Sequence, residues 1–170
     1  RFTQRKGLAY GFMAGLDACV RLGADVIVNT DADNQYPADA IPALIAPILR
    51  GEADMVIGDR GVGEVAHFSW AKQRLQMLGS WVVRKVSGTR VPDTTSGFRA
   101  MSREAALRIN IVSEFTYTLE SIIQAGKKKL AVTSVPIHAQ ETRPSRLFAS
   151  TSEYVKRSAA TILRIYAMYE

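Results

Sequence analysis

Thiol and imidazole are scarce in this chain: 170 residues hold one cysteine, Cys19, and two histidines. A single thiol excludes an intrachain disulfide framework, and nothing in the composition argues for an oxidising compartment. Cys19 falls within a helical pattern and is expected as a small buried hydrophobe. No run of 18 or more apolar residues marks a membrane-spanning helix, and the opening residues lack a basic-then-apolar signal pattern. Internal repeats and low-complexity segments are also missing. What is present is a chain that is 47% hydrophobic, long enough for one domain with a real core.

Charge is unevenly placed. Residues 1–59 carry 5 Lys and Arg against 8 Asp and Glu, whereas residues 60–170 carry 17 against 8. A mildly acidic first third followed by a basic remainder points to an anionic partner for the second part. On charge alone nucleic acid, lipid headgroups and phosphorylated small molecules all qualify.

The stretch that organises the chain is residues 26–37, VIVNTDADNQYP. Its short apolar run reads as a strand buried on both faces, as in a parallel sheet. It ends in Asn29-Thr30 and then in two carboxylates, Asp31 and Asp33. Ligands of open α/β sheets collect at such strand ends. Two acids one residue apart repel unless a cation sits between them, and Mg²⁺ is commonly held by one or two carboxylates plus substrate phosphates. Gln35 offers an amide oxygen to the same site. The competing reading is turn chemistry, because Asp and Asn cap turns.

Periodicity predicts a helix over residues 7–22 with Leu8, Phe12, Leu16 and Cys19 along one side and Gly23 as its stop. A strand follows over 25–29, then a helix over 38–49 opened by Pro37. Pro42 and Pro47 are expected to break or kink that helix, and Gly51 closes it. Strand 54–58 ends in Asp59-Arg60 at the sheet edge of Asp31. A long helix over 69–87 carries Trp70, Leu75, Leu78, Trp81 and Val82, with both tryptophans read as core. The polar turn 93–99, DTTSGFR, enters a short strand, and Ser102 caps a helix to about residue 109. A helix over 116–125 stopped by Gly126, a strand over 130–137, a polar loop over 141–145 and an amphipathic helix over 147–169 complete the pattern. The Lys127-Lys128-Lys129 run reads as a solvated helix end beside the negative pole of the helix dipole.

A carboxylate pair at a strand end beside Arg-rich loops suits a nucleoside diphosphate held through a divalent ion, which neutralises charge on a leaving diphosphate. Asp93 can reach the same crevice, or can simply cap the 94–97 turn.

Several ordered motifs then form a recognisable set: the Gly7-Leu8-Ala9 helix start, ADVIVNTDADNQYP, MVIGDR at 55–60, DTTSGFRA at 93–100, YTLE at 117–120, SVPI at 134–137 and TRPSRLF at 142–148. Together they resemble the family-2 glycosyltransferases, in particular the branch of dolichyl-phosphate mannose synthase and related polyprenyl-phosphate glycosyltransferases. The resemblance covers essentially the whole chain. It implies an α/β, incomplete GT-A (Rossmann-like) fold with a mostly parallel sheet flanked by helices. Residues 1–147 would form a partial catalytic domain and 148–170 an amphipathic helix at a membrane interface.

By the same resemblance Asp31 and Asp33 are the carboxylates for metal and diphosphate, with Gln35 as third ligand to Mg²⁺ or Mn²⁺. Arg60 and Arg74 match residues that contact phosphate near the acceptor. Arg143, Ser145 and Arg146 match a loop that closes over donor and lipid phosphate. Asp93 is the acid of the SGF motif near the acceptor. The implied reaction is inverting transfer of a sugar from a nucleotide-sugar, GDP-mannose or a UDP-sugar, to a polyprenyl or dolichyl phosphate.

The residues agree with a phosphate acceptor. A phosphate monoester has its second pKa near about 6 and is already an anion at neutral pH. It needs cationic positioning more than deprotonation, which suits several arginines and two histidines that lie in no motif. The terminal helix alternates Phe148, Tyr154, Val155, Ile162, Ile165, Tyr166 and Tyr169 with Arg146, Lys156, Arg157 and Arg164. Such a helix can lie in a bilayer interface or pack on the sheet with a solvated basic face; both readings stand.

The family's first strand, with a Pro-Ala-Tyr-Asn-Glu-like turn, and a second strand-end Asp have no match in residues 1–6. The chain is therefore expected to be a piece cut at both ends, soluble by itself, binding nucleotide weakly and turning over little. The full-length protein is placed on the cytoplasmic face of a membrane. Two alternatives remain: a soluble family-2 transferase acting on a sugar hydroxyl with Asp93 or Glu120 as base, and a catalytically dead fragment or basic module for nucleic acid. The second is disfavoured because the aromatics lie in apolar stripes and not among the basic clusters.

Overall fold

The structure, a computed structural model, describes residues 6–61, 70–113, 116–140 and 151–169. Its elements are α1 (Leu8–Arg21), β1 (Val26–Asn29), a 3-10 turn at Ala38–Ala40, α2 (Ile41–Leu49), β2 (Met55–Asp59), α3 (Trp70–Ser87), β3 (Arg99–Ser102), α4 (Arg103–Arg108), α5 (Thr118–Lys127), β4 (Val132–Pro136) and α6 (Thr151–Tyr169).

Helix ends follow local chemistry. At the end of α1 the N–H groups of Gly23 and Ala24 reach back to the carbonyls of Val20 and Cys19, with Gly23 at φ +82°. The same paired closure ends α2, where Gly51 and Glu52 donate to Ile48 and Pro47. Only a residue without Cβ takes that conformation freely, so both predicted glycine stops hold. Ser102 caps α4 by accepting the Ala105 N–H at 3.1 Å, as expected.

The prolines behave differently from expectation. The break falls before Pro42, at the 3-10 turn, and Pro42 sits in the first turn of α2, where no helical partner is lost. Pro47 lies inside the helix, which continues through it. Gly126 does not end α5 either. The helix runs past it to Lys127 and closes at Lys129, at φ +55°, with Leu130 donating back to Ala125. Gly126 is there for space: a Cβ on it would stand 1.9 Å from the Ser87 carbonyl oxygen at the end of α3.

The described sheet has the order β1-β3-β2-β4. β3 runs antiparallel to both β1 and β2, and only β2 and β4 pair in parallel. The expectation of a mostly parallel sheet is thus corrected to a mixed one: β3 enters the sheet from the edge at which β1 and β2 leave it. β1 is also less buried than expected, with Ile27 buried and Val26, Val28 and Asn29 half-buried, because within the described sheet it has β3 on one side alone.

Alternation along the strands sorts the core into two faces. Ile27, Met55, Ile57 and Met101 meet Phe12, Leu16, Val83, Ile122, Ile123 and Ile165 from the helices of one layer. Val56, Phe98 and Ala100 meet Leu44, Tyr36 and Ile137 on the other. The inward face of α3 is turned from the one predicted. Val83 is buried, whereas Trp81 and Leu78 are about half exposed (51% and 57%). Cys19 is half-buried at the margin of the first core.

Candidate active site

Where β1 ends, Asn29 turns its side chain into the protein. Its Nδ2 donates to the Gly97 carbonyl at 2.7 Å and to the Tyr117 hydroxyl at 2.8 Å. An amide at the end of an apolar strand thereby fastens β1 to the 93–98 turn and to the start of α5. Phe12 of α1 stacks on Tyr117, ring centroids 4.0 Å apart. From the other side the Tyr36 hydroxyl accepts the Gly97 N–H at 3.2 Å. Tyr36 itself lies flat against Phe98, at 5.1 Å.

Asp31 stands against this turn. A Cβ placed on Gly97 would lie 2.3 Å from Asp31 Oδ2, so the carboxylate occupies the space a side chain would need. Burial, and then the neighbouring Asp33 charge, push the Asp31 carboxyl above its ordinary value, with Arg99 and Arg60 opposing. Asp33 is exposed, and its Oδ1 accepts the Gln35 N–H at 3.1 Å. The turn-capping reading is therefore true of Asp33 whatever else it does. Asn34 between them takes φ +61°, a conformation Asn tolerates. The Gln35 carbonyl accepts the Gln140 N–H at 2.9 Å, which ties this turn to the segment after β4.

Arg60, at the end of β2, grips Asp93 with two bonds, Nε to Oδ2 at 2.6 Å and Nη2 to Oδ1 at 3.0 Å, and also donates to the Thr95 hydroxyl at 2.8 Å. Burial works against the Asp93 carboxylate, yet the Arg60 bonds and charge and the two Thr95 contacts outweigh it, so its pKa lies below the ordinary value. Asp93 is thus both a turn cap, through the Thr95 N–H, and an ion-pair partner. Asp59 Oδ1 caps the next turn by accepting the Gly61 N–H at 3.0 Å.

The sequence reading overlooked Arg99. It is fully buried, with Nη1 donating to the Thr118 carbonyl at 3.1 Å and Ser121 Oγ at 2.6 Å, and Nη2 donating to the Ser96 carbonyl. Its Nε has no partner, and among the described residues no carboxylate lies within ion-pair distance of it. The guanidinium lies 5.5 Å from the Tyr117 ring. An arginine inside the apolar strand GFRAM was the available signal. Asn29, Tyr36, Gly97 and Tyr117 were likewise visible as polar or glycine positions within the motifs, though nothing local named their partners.

The structure brings Asp31, Asp33, Gln35, Arg60 and Asp93 to one edge of the sheet. Arg74 is exposed on α3. Arg143, Ser145 and Arg146 lie outside the described residues. Glu120, the alternative base, is buried and accepts the Val112 and Ser113 N–H groups at 2.8 and 2.9 Å. It closes a loop inside the protein. Lys128, expected in solvent, donates to the Arg108 carbonyl and, at 3.3 Å, to Gln124 Oε1. Burial followed by the Arg108 charge lowers its pKa.

Two helical layers about a mixed sheet, with acids at the strand ends, define the chain as an α/β domain of the GT-A type. Glucosyl-3-phosphoglycerate synthase from Mycobacterium tuberculosis, solved with Mn²⁺, UDP and glucosyl-3-phosphoglycerate, matches 96% of this chain over 56% of its own length at a TM-score of 0.70 and 22% identity. That likeness shows the fold. The sequence profile described as glycosyl transferase family 2 matches residues 1–109: the chain belongs to family 2 of the glycosyltransferases. Among similar curated proteins is the UDP-N-acetylglucosamine–dolichyl-phosphate N-acetylglucosaminyltransferase of Methanococcus voltae, 32% identical over 81% of this chain and 57% of that protein. Another is the polyprenol monophosphomannose synthase of Mycolicibacterium smegmatis, 28% identical over 79% of this chain and 53% of that one. The chain spans about half the length of the curated relatives it matches.

Proposed function

We propose that this chain carries the diphosphate-handling side of an inverting transferase that moves a sugar from a nucleotide-sugar to a polyprenyl phosphate. The observation that carries the reading is Asp31: a carboxylate at a strand end, made costly by burial and by Asp33, on the same edge as the Arg60–Asp93 pair. An acid in that position is relieved by a cation. The hard oxygen donors Asp31, Asp33 and Gln35 suit Mg²⁺ or Mn²⁺, and the structural relative named above binds Mn²⁺ with UDP. Bound there, the ion would neutralise the charge that collects on the departing nucleoside diphosphate.

The remaining work belongs to the protein's own side chains. Arg60 is held in place by Asp93 and Thr95, and with Arg74, Arg143, Ser145 and Arg146 it forms the proposed set that positions anionic oxygens. The acceptor phosphate needs no base. Its oxygen forms a bond to the anomeric carbon as the bond to the diphosphate oxygen breaks, and the electron pair leaves with the diphosphate. One displacement inverts the centre. Product with retained configuration, or a trapped covalent glycosyl-enzyme, would contradict this. The sugar-hydroxyl alternative loses support because the Arg60 bonds and charge lower the Asp93 pKa and leave its carboxylate a weak, already engaged base, and Glu120 accepts two backbone N–H groups.

Relatives named as acting on dolichyl, polyprenol or undecaprenyl phosphates favour a lipid phosphate acceptor and with it a membrane surface; the cytoplasmic face is part of the proposal. Within the described residues no helix is long and apolar enough to cross one. On α6 the exposed Leu163 and Met168 flank the exposed Arg157 and Arg164, and we assign that side to the membrane surface.

The test is a binding series with UDP-glucose, UDP-N-acetylglucosamine, GDP-mannose and DNA, with and without Mn²⁺, on the parent chain and on the double variant D31A/D33A. Nucleotide-sugar binding that requires both Mn²⁺ and the two acids is the expected result. Binding indifferent to both overturns the reading, and preferential binding of DNA replaces it.

A further inference from the structure

We propose that Arg99 is a positioning residue: its buried guanidinium ties the Ser96 carbonyl to the first turn of α5 and so presses the Gly97 backbone against the Asp31 carboxylate.

A guanidinium without a carboxylate partner is an expensive thing to bury. Arg99 is fully buried, leaves Nε unpartnered, and spends its other donors on one turn and one helix start. The Ser96 carbonyl is the last acceptor before Gly97, whose own N–H and C=O are both taken, by Tyr36 and Asn29. Gly97 is therefore clamped on both sides, by Tyr36 and Asn29 directly and by Arg99 through its neighbour. The missing side chain of Gly97 is the volume that Asp31 fills. Methionine in place of Arg99 would spare the burial of a charge but could not hold Ser96. Lysine would keep the charge but lacks the planar fork that reaches a turn and a helix together.

The inference deepens the functional reading above, since Asp31 matters for chemistry only if that reading holds. Two measurements keep them separate. In the metal-free chain, amide hydrogen exchange at Gly97 is compared with exchange at Met55, whose N–H is bound to Ala131 far along β2. R99K, and the milder S121A on α5, should speed exchange at Gly97 relative to Met55, S121A by about fivefold for one lost hydrogen bond. A residue important only for overall stability would speed both sites together. Paramagnetic broadening by Mn²⁺ alone, over the resonances of residues 29–36, then reports the acid site. G97A, whose methyl would meet the Asp31 carboxylate first, and R99K should each reduce that broadening, and the double variant should lose no more than the worse single one.

Unchanged relative exchange in both S121A and R99K overturns the inference, as does full additivity in the double variant. If R99K fails to fold, S121A and G97A still decide it. Broadening absent from the parent, or kept by D31A, overturns the metal reading and leaves the exchange result to judge Arg99.

Discussion

Arg60 and Asp93, 33 positions apart, meet in a two-pronged ion pair with 11% and 1% of their side chains exposed. Breaking such a pair from one side leaves a buried charge alone, at a cost of about 3–5 kcal/mol. D93A should therefore lower the urea midpoint sharply, while R60M/D93L, which removes both charges, should recover much of the loss. Because the folded pKa of Asp93 lies below its ordinary value of 3.8, its contribution is present above that pH and fades as pH falls through the lower folded value. The acid arm of the parent's stability profile should flatten in R60M/D93L.

Tyr117 titrates unusually. Burial pushes its phenol up to about 12, with Arg99 opposing and Asp31 reinforcing. A raised phenol contributes stability that is intact below the ordinary value of 10 and is lost as pH climbs toward 12. Ultraviolet titration should show Tyr117 ionising late, together with Tyr36, whose phenol burial also raises. Y117F should reduce the late phase by one tyrosine and, by depriving Asn29 of one acceptor, cost about 1 kcal/mol at neutral pH.

Glycines on two helices should respond oppositely to alanine. In α1, a Cβ on Gly11 or Gly15 meets nothing within 4 Å, so G11A and G15A should each stabilise by roughly 0.5–1 kcal/mol. In α5, G126A forces a methyl into the Ser87 backbone and should destabilise by about 1–3 kcal/mol or more. Thermal melts of the three variants check the contrast.

Membrane attraction of α6 is testable by vesicle pelleting. Arg157 and Arg164 line a basic groove with Lys6, and each basic residue near an anionic surface is worth about 1 kcal/mol. R157E/R164E should reduce binding to anionic vesicles by more than about tenfold and leave binding to zwitterionic ones unchanged. No binding by the parent at low salt would remove the membrane assignment. Ile165, which the sequence could equally have given to lipid, is 1% exposed in the core.

Local chemistry was legible in advance. Gly23, Gly51 and Ser102 act on neighbours within five residues, and the apolar runs of β1, β2 and β4 needed no partner to be seen. Strand direction was not legible, because pairing of β3 with both β1 and β2 depends on residues tens of positions away. The same limit hid the partners of the acids. Asp31 and Asp93 could be placed at one edge, but that Arg60 closes on Asp93, and that Gly97 makes room for Asp31, are relations between separate motifs. Arg99 shows the limit most clearly: a charged residue in an apolar strand announces a constraint without naming what it holds. On α3, the apolar stripe at helical spacing suggested a buried Trp81, and the fold assigned that place to Val83.

β3 is anchored so that Arg99 lies level with Asn29 on one neighbour and Ile57 on the other. Phe98 and Ala100 face α2, while Met101 faces α1 and α5. A slip of one position would thrust the guanidinium among Leu44 and Val56 and swing Phe98 toward Tyr117. Four residues thus act as a reading frame for the whole edge: a single insertion or deletion within residues 98–101 would scramble both faces at once and pull the 93–97 turn out of place.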